Sequence, residues 1–301
     1  MNIEKLKPRK FKNFKYRYQS VAWIMLAPML LLLLVFVLVP LGLSLVRSFQ
    51  DSVTGEFVWF KNYWSILQLS SFVKSFQNIA FFVITIVPLQ LMFSLAFAML
   101  LTKLTQKISA AIRTIIYIPV LLSGIVASII FLLLLNFGGG LITSILYSLN
   151  LDAISFATDP FWARVIVIIP TLWLGFGYNT LVLYAGLMNV PKTYYEAASI
   201  DGAGAWTKLF KITLPQMKVY FVLLIINLVT TTLQMYEIPM MMTEGGPLES
   251  TLTPVLFLMA NHNGDRPTNV VIAGALIVML IIMLINTFVF KSMKSNKSED
   301  S

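Results

Sequence analysis

The chain predicts an all-α polytopic membrane protein, with six transmembrane helices and one helical, polar loop between helices 4 and 5. Three observations carry that prediction: composition, six long uncharged runs, and the polar island that separates two of them. Hydrophobic residues make up 58% of the 301, charged residues only 12%, and mean hydropathy is +0.82. Soluble domains carry about 25% charged residues, so the bilayer is the solvent that this composition fits. The polar loops leave no room for a sizeable soluble domain.

A hydrocarbon core of roughly 30 Å takes about 20 helical residues to cross. Residues 21–46, 76–101, 114–136, 165–187, 219–236 and 270–290 reach or approach that length without one Asp, Glu, Lys, Arg or His. The fifth run is short, bounded by Lys218 and Glu237. Within the third, Pro119 followed by Ser123-Gly124 predicts a kink. Residues 141–151 are apolar but too short to span, and predict a helix on the outer surface.

Charge orients the runs. Lys5, Lys7, Arg9, Lys10, Lys12, Lys15 and Arg17 precede the first, and Lys103, Lys107 and Arg113 separate the second from the third. Lys192, Lys208, Lys211 and Lys218 separate the fourth from the fifth, and Lys291, Lys294 and Lys297 follow the sixth. That is 17 of 22 basic residues on one side, with Arg47, Lys61, Lys74, Arg164 and Arg266 on the other. The positive-inside rule places both termini and the polar island in the cytoplasm. The bias accounts for the net charge of +9 without a nucleic-acid surface. Residues 1–20 form a basic cytoplasmic segment in which Phe11, Phe14, Tyr16 and Tyr18 are interleaved with bases. They read either as a topology signal lying on anionic lipid headgroups or as an elbow helix bracing the subunit. Residues 291–301 form a cytoplasmic tail.

No catalytic machinery is expected, and no cofactor. No Gly-Lys dipeptide occurs, which removes the Walker A phosphate loop. Zero cysteines remove disulfides and thiolate chemistry. The single histidine, His262, falls in an outer loop and cannot build a typical zinc site. Gly138-Gly139-Gly140 reads as a turn. Any energy for transport comes from another polypeptide or an ion gradient, and spans without ionisable groups argue against a proton-coupled carrier.

The polar island, residues 191–215, has its own punctuation. Pro191 ends the continuation of the fourth span. Thr193 and Glu196 fit a capping box, in which Glu196 reaches back to the Thr193 amide. Gly202 supplies the positive φ of a helix stop. A second short helix carries Trp206, Leu209 and Phe210 as an apolar stripe, and Pro215 suits the first turn of the fifth span. The result is a rigid helix–turn–helix knob joined to two spans. Such a knob can pass a partner's rigid-body motion into the membrane.

Glu196, Ala197, Ala198, Asp201, Gly202, Ile212, Leu214 and Pro215, in that spacing, resemble the cytoplasmic "EAA" coupling loop of binding-protein-dependent ABC importer permeases. Residues 172–204 resemble the carbohydrate-uptake branch of that family. Thr243-Glu-Gly-Gly-Pro247 followed by Thr251 resembles the outer loop of its maltose-type first permease. The likeness extends over about 113–253 and departs after Ala260, where NHNGDRPTNVV replaces the usual pattern. The resemblance implies an ATP-driven importer whose ATPase is gripped by Glu196, Ala197, Ala198, Asp201 and Gly202; Glu196 then serves coupling, helix capping or both. It implies four kinds of partner: a second homologous permease, an ATPase dimer that binds the ATP, an extracytoplasmic sugar-binding protein and the sugar.

Sugars need hydrogen-bonding groups and flat apolar faces, turned toward a cavity and not toward lipid. The fourth span offers Thr171, Trp173, Gly175, Phe176, Gly177, Tyr178 and Asn179, and the fifth Thr230, Thr231, Thr232, Gln234 and Tyr236. By the resemblance, Thr171, Gly175, Tyr178, Thr231, Thr232 and Met235 fall at substrate-contacting positions. Gly and Thr in spans also serve helix packing, which is the plainer reading of each. Two alternatives stand beside the sugar importer. One is a permease for a non-sugar solute such as glycerol phosphate or a polyamine, the other a stand-alone gradient-driven carrier.

Overall fold

Several of the irregular turns in this chain of helices lie beside prolines, although Pro28, Pro88 and Pro170 sit inside continuous helices. The computed structural model describes residues 14–135, 140–149, 158–262 and 266–295. Helix α1 (Phe14–Leu33) passes through a π-turn (Leu34–Leu38) into α2 (Val39–Ser48), with Pro40 in the first turn of α2. A proline lacks its N–H and its ring crowds the carbonyl four residues back, so the register widens just ahead of it. The same device recurs twice. A 3₁₀ turn (Ile118–Leu121) holds Pro119, and a second π-turn (Leu209–Thr213) runs up to Pro215.

A connecting segment leads to α3 (Lys61–Leu67), then the long α4 (Ser70–Thr102). Asn62 Nδ2 donates to the carbonyls of Ser48 and Gln50, both at 2.8 Å, which fixes the segment against α2. Within it the Asp51 carboxylate accepts N–H groups of Val53 and Thr54, and these bonds hold its pKa below the usual value. After α4 come α5 (Gln106–Tyr117), the 3₁₀ turn, α6 (Gly124–Leu135) and the short α7 (Leu141–Ser148). The axis turns by 100° between the 3₁₀ turn and α6. The sequence predicts one kinked span over 114–136; the structure has two helical arms meeting at Leu122 and Ser123. Ser123 Oγ caps the second arm, accepting the Val126 N–H at 3.3 Å. Gly138 and Gly139, expected in a turn, lie outside the described residues, as do residues 1–13 of the basic segment.

Helix α8 (Pro160–Met188) opens with Asp159 as N-cap, its carboxylate accepting the Phe161 N–H at 2.7 Å, and Pro160 where no N–H is needed. The polar island forms α9 (Lys192–Ile200), α10 (Ala205–Lys208), the second π-turn and α11 (Leu214–Gln216). A 71° bend at Met217 then leads into α12 (Lys218–Leu233). Pro215 therefore stands before the bend, in α11, and not in the first turn of the fifth span. That span ends earlier than 236, because Gln234, Met235 and Tyr236 leave the helix. Helices α13 (Glu237–Thr243), α14 (Pro254–His262) and α15 (Thr268–Ser295) complete the order. His262 is the last residue of α14, not a loop residue.

Among the described residues four helical stretches are long and apolar enough to cross a membrane, and the two bent pairs make up to six. The core is α4 packed on α8 and flanked by α12, with Phe82, Ile86, Ile166, Val167, Leu228 and Leu233 buried between them. At one end of the bundle, Arg164 donates to the Ser250 carbonyl (3.1 Å) and to Asn78 Oδ1 (3.3 Å), while Asn78 Nδ2 donates to the Glu249 carbonyl at 2.6 Å. This ties the 244–253 segment to α4 and α8. The polar island sits at the opposite end. Residues 21–43, in contrast, form an apolar helical stretch that is exposed throughout.

Close approach of α8 to the C-terminal turn of α5 depends on Gly177, where a Cβ would collide with the Ile116 carbonyl. Gly177→Val should therefore lower the melting temperature in detergent, by an overpacking cost on the order of 1–3 kcal/mol. Gly42→Ala, with nothing near its added methyl, should leave melting unchanged or slightly raised. Equal melting of the two variants would remove that contact as a constraint.

Candidate functional site

Thr171, Gly175 and Tyr178 stand four and three residues apart on α8, the spacing that puts side chains on one helix face. That face meets a cavity of about 520 Å³. Its other walls are Ile86 and Gln90 of α4, Val120 and Gly124 at the α5–α6 break, Asn227, Thr231 and Thr232 of α12, and the unwound Gln234 to Tyr236 with Glu237. All six residues at the expected substrate-contacting positions line it: Thr171, Gly175, Tyr178, Thr231, Thr232 and Met235. Trp173 and Phe176 do not. They face a second, apolar hollow with Phe93 and Phe97, where Phe176 sits edge-on to Phe97 at 5.2 Å. Thr230 is turned to α15 and hydrogen-bonds Asn286 Oδ1 at 2.9 Å.

The cavity's geometry follows from one buried amide. In the amide orientation that satisfies both its oxygen and its nitrogen, Gln90 donates to the Leu172 carbonyl and accepts from the Phe176 N–H, each at 3.1 Å. A helix can come that close only where its facing residue is small. A Cβ on Gly175 would lie 3.3 Å from the Gln90 amide carbon and 3.2 Å from Asn179 Nδ2. Asn179 Nδ2 donates to the Gly175 carbonyl at 2.7 Å, and its buried Oδ1 has no partner among the described residues. Thr171 and Thr231 donate their hydroxyl protons to carbonyls of their own helices, leaving their oxygens as acceptors. The Tyr178 hydroxyl makes no hydrogen bond to the described residues. The unwound segment is held from behind: Thr253 Oγ1 donates to the Met235 carbonyl at 2.7 Å.

Gln90, Asn227 and Glu237 were not singled out from sequence. The first two are uncharged amides inside apolar runs, and a search for ionisable groups passes over them. Glu237 reads from sequence as the end of the fifth span; the break after Leu233 swings it into the cavity wall. Among the described residues no three His, Cys, Asp or Glu side chains gather into a metal site.

In the polar island the expected capping box is absent. Helix α9 begins at Lys192 after Pro191, and no side chain caps it. Pro191, extended at ψ 130°, sets the helix start two residues before the position that Thr193 would need. Glu196 therefore stands free on the exposed face, beside exposed Ala197 and half-buried Ala198. The helix stops as expected. Gly202 takes φ +75°, with Ala203 N–H donating to the Ala198 carbonyl (2.8 Å) and Gly202 N–H to that of Ser199 (3.2 Å). That is a Schellman stop. Tyr195 hydroxyl to Thr213 Oγ1 (2.9 Å) and Lys208 Nζ to Ser199 Oγ (2.7 Å) clamp α9 to the returning segment. Between the two lies a hollow of about 360 Å³ bordered by Tyr194, Ala197, Ala198 and Asp201. Trp206 and Phe210 stack at 6.1 Å and stay exposed.

Residues 90–294 match the family described as binding-protein-dependent transport system inner membrane component. The chain belongs to that family. It is 31% identical over 253 residues to a lactose transport system permease of Rhizobium radiobacter, covering 82% of this chain and 84% of that one. With a trehalose/maltose permease of Thermococcus litoralis it shares 29% identity, over 94% and 95% of the two chains. With an sn-glycerol-3-phosphate permease of Escherichia coli O157:H7 it shares 27%, over 93% and 96%. In fold it is similar to a chain of a bacterial ABC transporter that imports the acidic polysaccharide alginate. That match has a TM-score of 0.82 at 19% identity and covers 93% and 97% of the two chains. A second structure, with TM-score 0.79 over 91% and 94% of the chains at 19% identity, shows an alginate transporter in complex with an alginate pentasaccharide-bound periplasmic protein. The chain is thus a membrane-embedded transport component.

The clamp and the absent cap give opposite mutational signatures in the island. Thr193→Ala should change stability by less than about 0.5 kcal/mol. Tyr195→Phe should cost about 1 kcal/mol and speed tryptic cleavage at Lys208 and Lys211. A larger loss from Thr193→Ala would restore the capping box.

Proposed function

We propose that this chain is the permease subunit of an ATP-driven importer for a sugar or oligosaccharide, and forms half of the translocation path. The observation that carries the reading is the cavity. Uncharged hydrogen-bonding groups of Gln90, Asn179, Asn227, Thr231 and Gln234 meet the flat ring of Tyr178 in one chamber of about 520 Å³. Sugar hydroxyls need such donors and acceptors, and a pyranose face needs an apolar plane. Relatives named for lactose and for trehalose and maltose support the sugar class. A phosphate ligand would call for Arg or Lys, and none lines the cavity, although one relative is named for glycerol phosphate. Family membership tells against a carrier acting alone.

The partners follow from the family and from the island. A second, homologous permease supplies the other half of the path, and a pair of ATPase subunits binds and hydrolyses the ATP. Glu196, Ala197, Ala198, Asp201 and Gly202 form the face they grip, and the free carboxylate of Glu196 suits a basic residue there. An extracytoplasmic sugar-binding protein delivers the substrate, a reading supported by the alginate structure with its periplasmic protein. Closure of the ATPases would push α9 and its clamped return segment as one body and switch the cavity between the two sides. The basic-residue bias orients the chain with both termini and the island in the cytoplasm.

Two variants in proteoliposomes containing the full transporter separate binding from coupling. Tyr178→Ala should cut uptake severely while the ATPase stays bound, because a stacking face and a net hydrogen bond of about 1 kcal/mol are lost together. Glu196→Ala should weaken ATPase association, and Gly202→Pro should abolish transport, since proline cannot adopt φ +75°. Normal uptake by Tyr178→Ala would place the sugar in the other permease. Normal uptake by Gly202→Pro would deny the island its coupling role.

Orientation has its own check. Single cysteines at Ser52, Asp159 and Glu249 should react with an impermeant thiol reagent from outside intact cells, and those at Thr105 and Lys208 should not. The reverse pattern would invert the topology.

A further inference from the structure

Among the described side chains that line the cavity, Glu237 alone is acidic or basic. Its position results from three structural choices. The helix unwinds at Gln234, so that Glu237 opens α13 and does not extend α12. Gly124 leaves the space: a Cβ there would lie 2.5 Å from Glu237 Oε2 and 3.1 Å from its Cβ. And the carboxylate lies against the N-terminus of the 12-residue α6, whose first peptide N–H groups favour negative charge. No cation answers it. Among the described residues Glu237 forms no ion pair and no side-chain hydrogen bond. The two arginines on neighbouring helices are turned elsewhere, Arg113 to the Ser109 carbonyl and the Tyr184 ring, Arg164 to Ser250 and Asn78.

We propose that Glu237 is a charge-selectivity residue of the transport cavity. It admits neutral and amino sugars and turns away carboxylated, phosphorylated or sulfonated ones. The inference rests on the sugar reading given above and sharpens it to a substrate class. A charge in a chamber walled by protein and lipid is screened far less than one in bulk water. An anionic sugar entering the chamber would exchange its hydration for an uncompensated carboxylate. A protonated amino sugar would find a partner. Neutral hydroxyls can use the same carboxylate as an acceptor, beside Gln234 and Asn227.

The test uses the complete membrane complex, with partner permease and ATPases, in lipid nanodiscs and without a binding protein whose own selectivity would intervene. Saturation-transfer NMR detects weak ligands and would be run with methyl glucoside, methyl glucosaminide and methyl glucuronide. The wild type should favour the glucosaminide over the glucuronide at least tenfold. Glu237→Gln should bring that ratio close to one, and Glu237→Lys should reverse it. Glu237→Asp should restore part of the preference. A ratio unchanged in Glu237→Gln overturns the inference alone, with the sugar reading intact. So does equal loss of all three signals in Glu237→Gln while the ATPase still co-purifies, because the residue would then only hold the fold. Absence of any sugar signal from the wild type overturns the sugar reading, and the inference falls with it.

Discussion

Backbone that leaves a helix inside an apolar slab has to find its hydrogen bonds within the chain, and that constraint shapes this molecule. Hydrocarbon offers no partner to a freed N–H or carbonyl, and irregular backbone survives there only when buried in protein or facing a wet cavity. The chain breaks in two such places beside the core pair. At the first, Leu122 N–H donates to the Pro119 carbonyl at 3.0 Å and Ser123 caps the next helix. At the second, Gln234 and Met235 N–H groups donate to Thr230 and Thr232 at 3.2 and 3.1 Å, and Thr253 binds the Met235 carbonyl. Both breaks line the same cavity. The site lies where the helices stop because that is the one place where stopping is tolerated.

The same constraint explains what could be read from sequence. Residues 76–101, 165–187 and 270–290 lie inside unbroken helices, Pro88 and Pro170 included. The runs at 114–136 and 219–236 are equally free of charged residues but differ in backbone. Pro119 with Ser123-Gly124 announced a kink, though nothing in the residue types fixes a turn of 100°. Pro239 carries the local signal for the unwinding at Gln234: it has no N–H for the Met235 carbonyl four residues back, which Thr253 Oγ1 serves instead. Glu237, which reads from sequence as the end of a span, faces the cavity because of that break. The capping box at Thr193 failed for a local reason. Pro191 begins the helix early, which strands Thr193 and Glu196 inside it. The family resemblance marks Thr171, Gly175 and Tyr178, and because α8 stays regular their helical spacing puts them on one face.

Between the island and the cavity runs a single packed cluster. Ala98, Leu183, Val190, Met217 and Leu224 are buried together, and Tyr178, Tyr195 and Ile212 pack against them. Tyr195 belongs to the clamp on α9, Ile212 to the return segment, and Tyr178 to the cavity wall. Gly186 lets Tyr220 and Met217 approach α8, where a Cβ would lie 2.9 Å from the tyrosine ring. Interiors packed this densely yield little to compression. A displacement of α9 therefore has two outlets, the bend at Met217 or the wall at Tyr178. Met217 is fully buried in the cluster, so the bend cannot open without dragging its neighbours. Under the proposed mechanism the hinge and the binding face are then one mechanical element. A push on the island would change the shape of the chamber even if no residue of the island comes near the sugar.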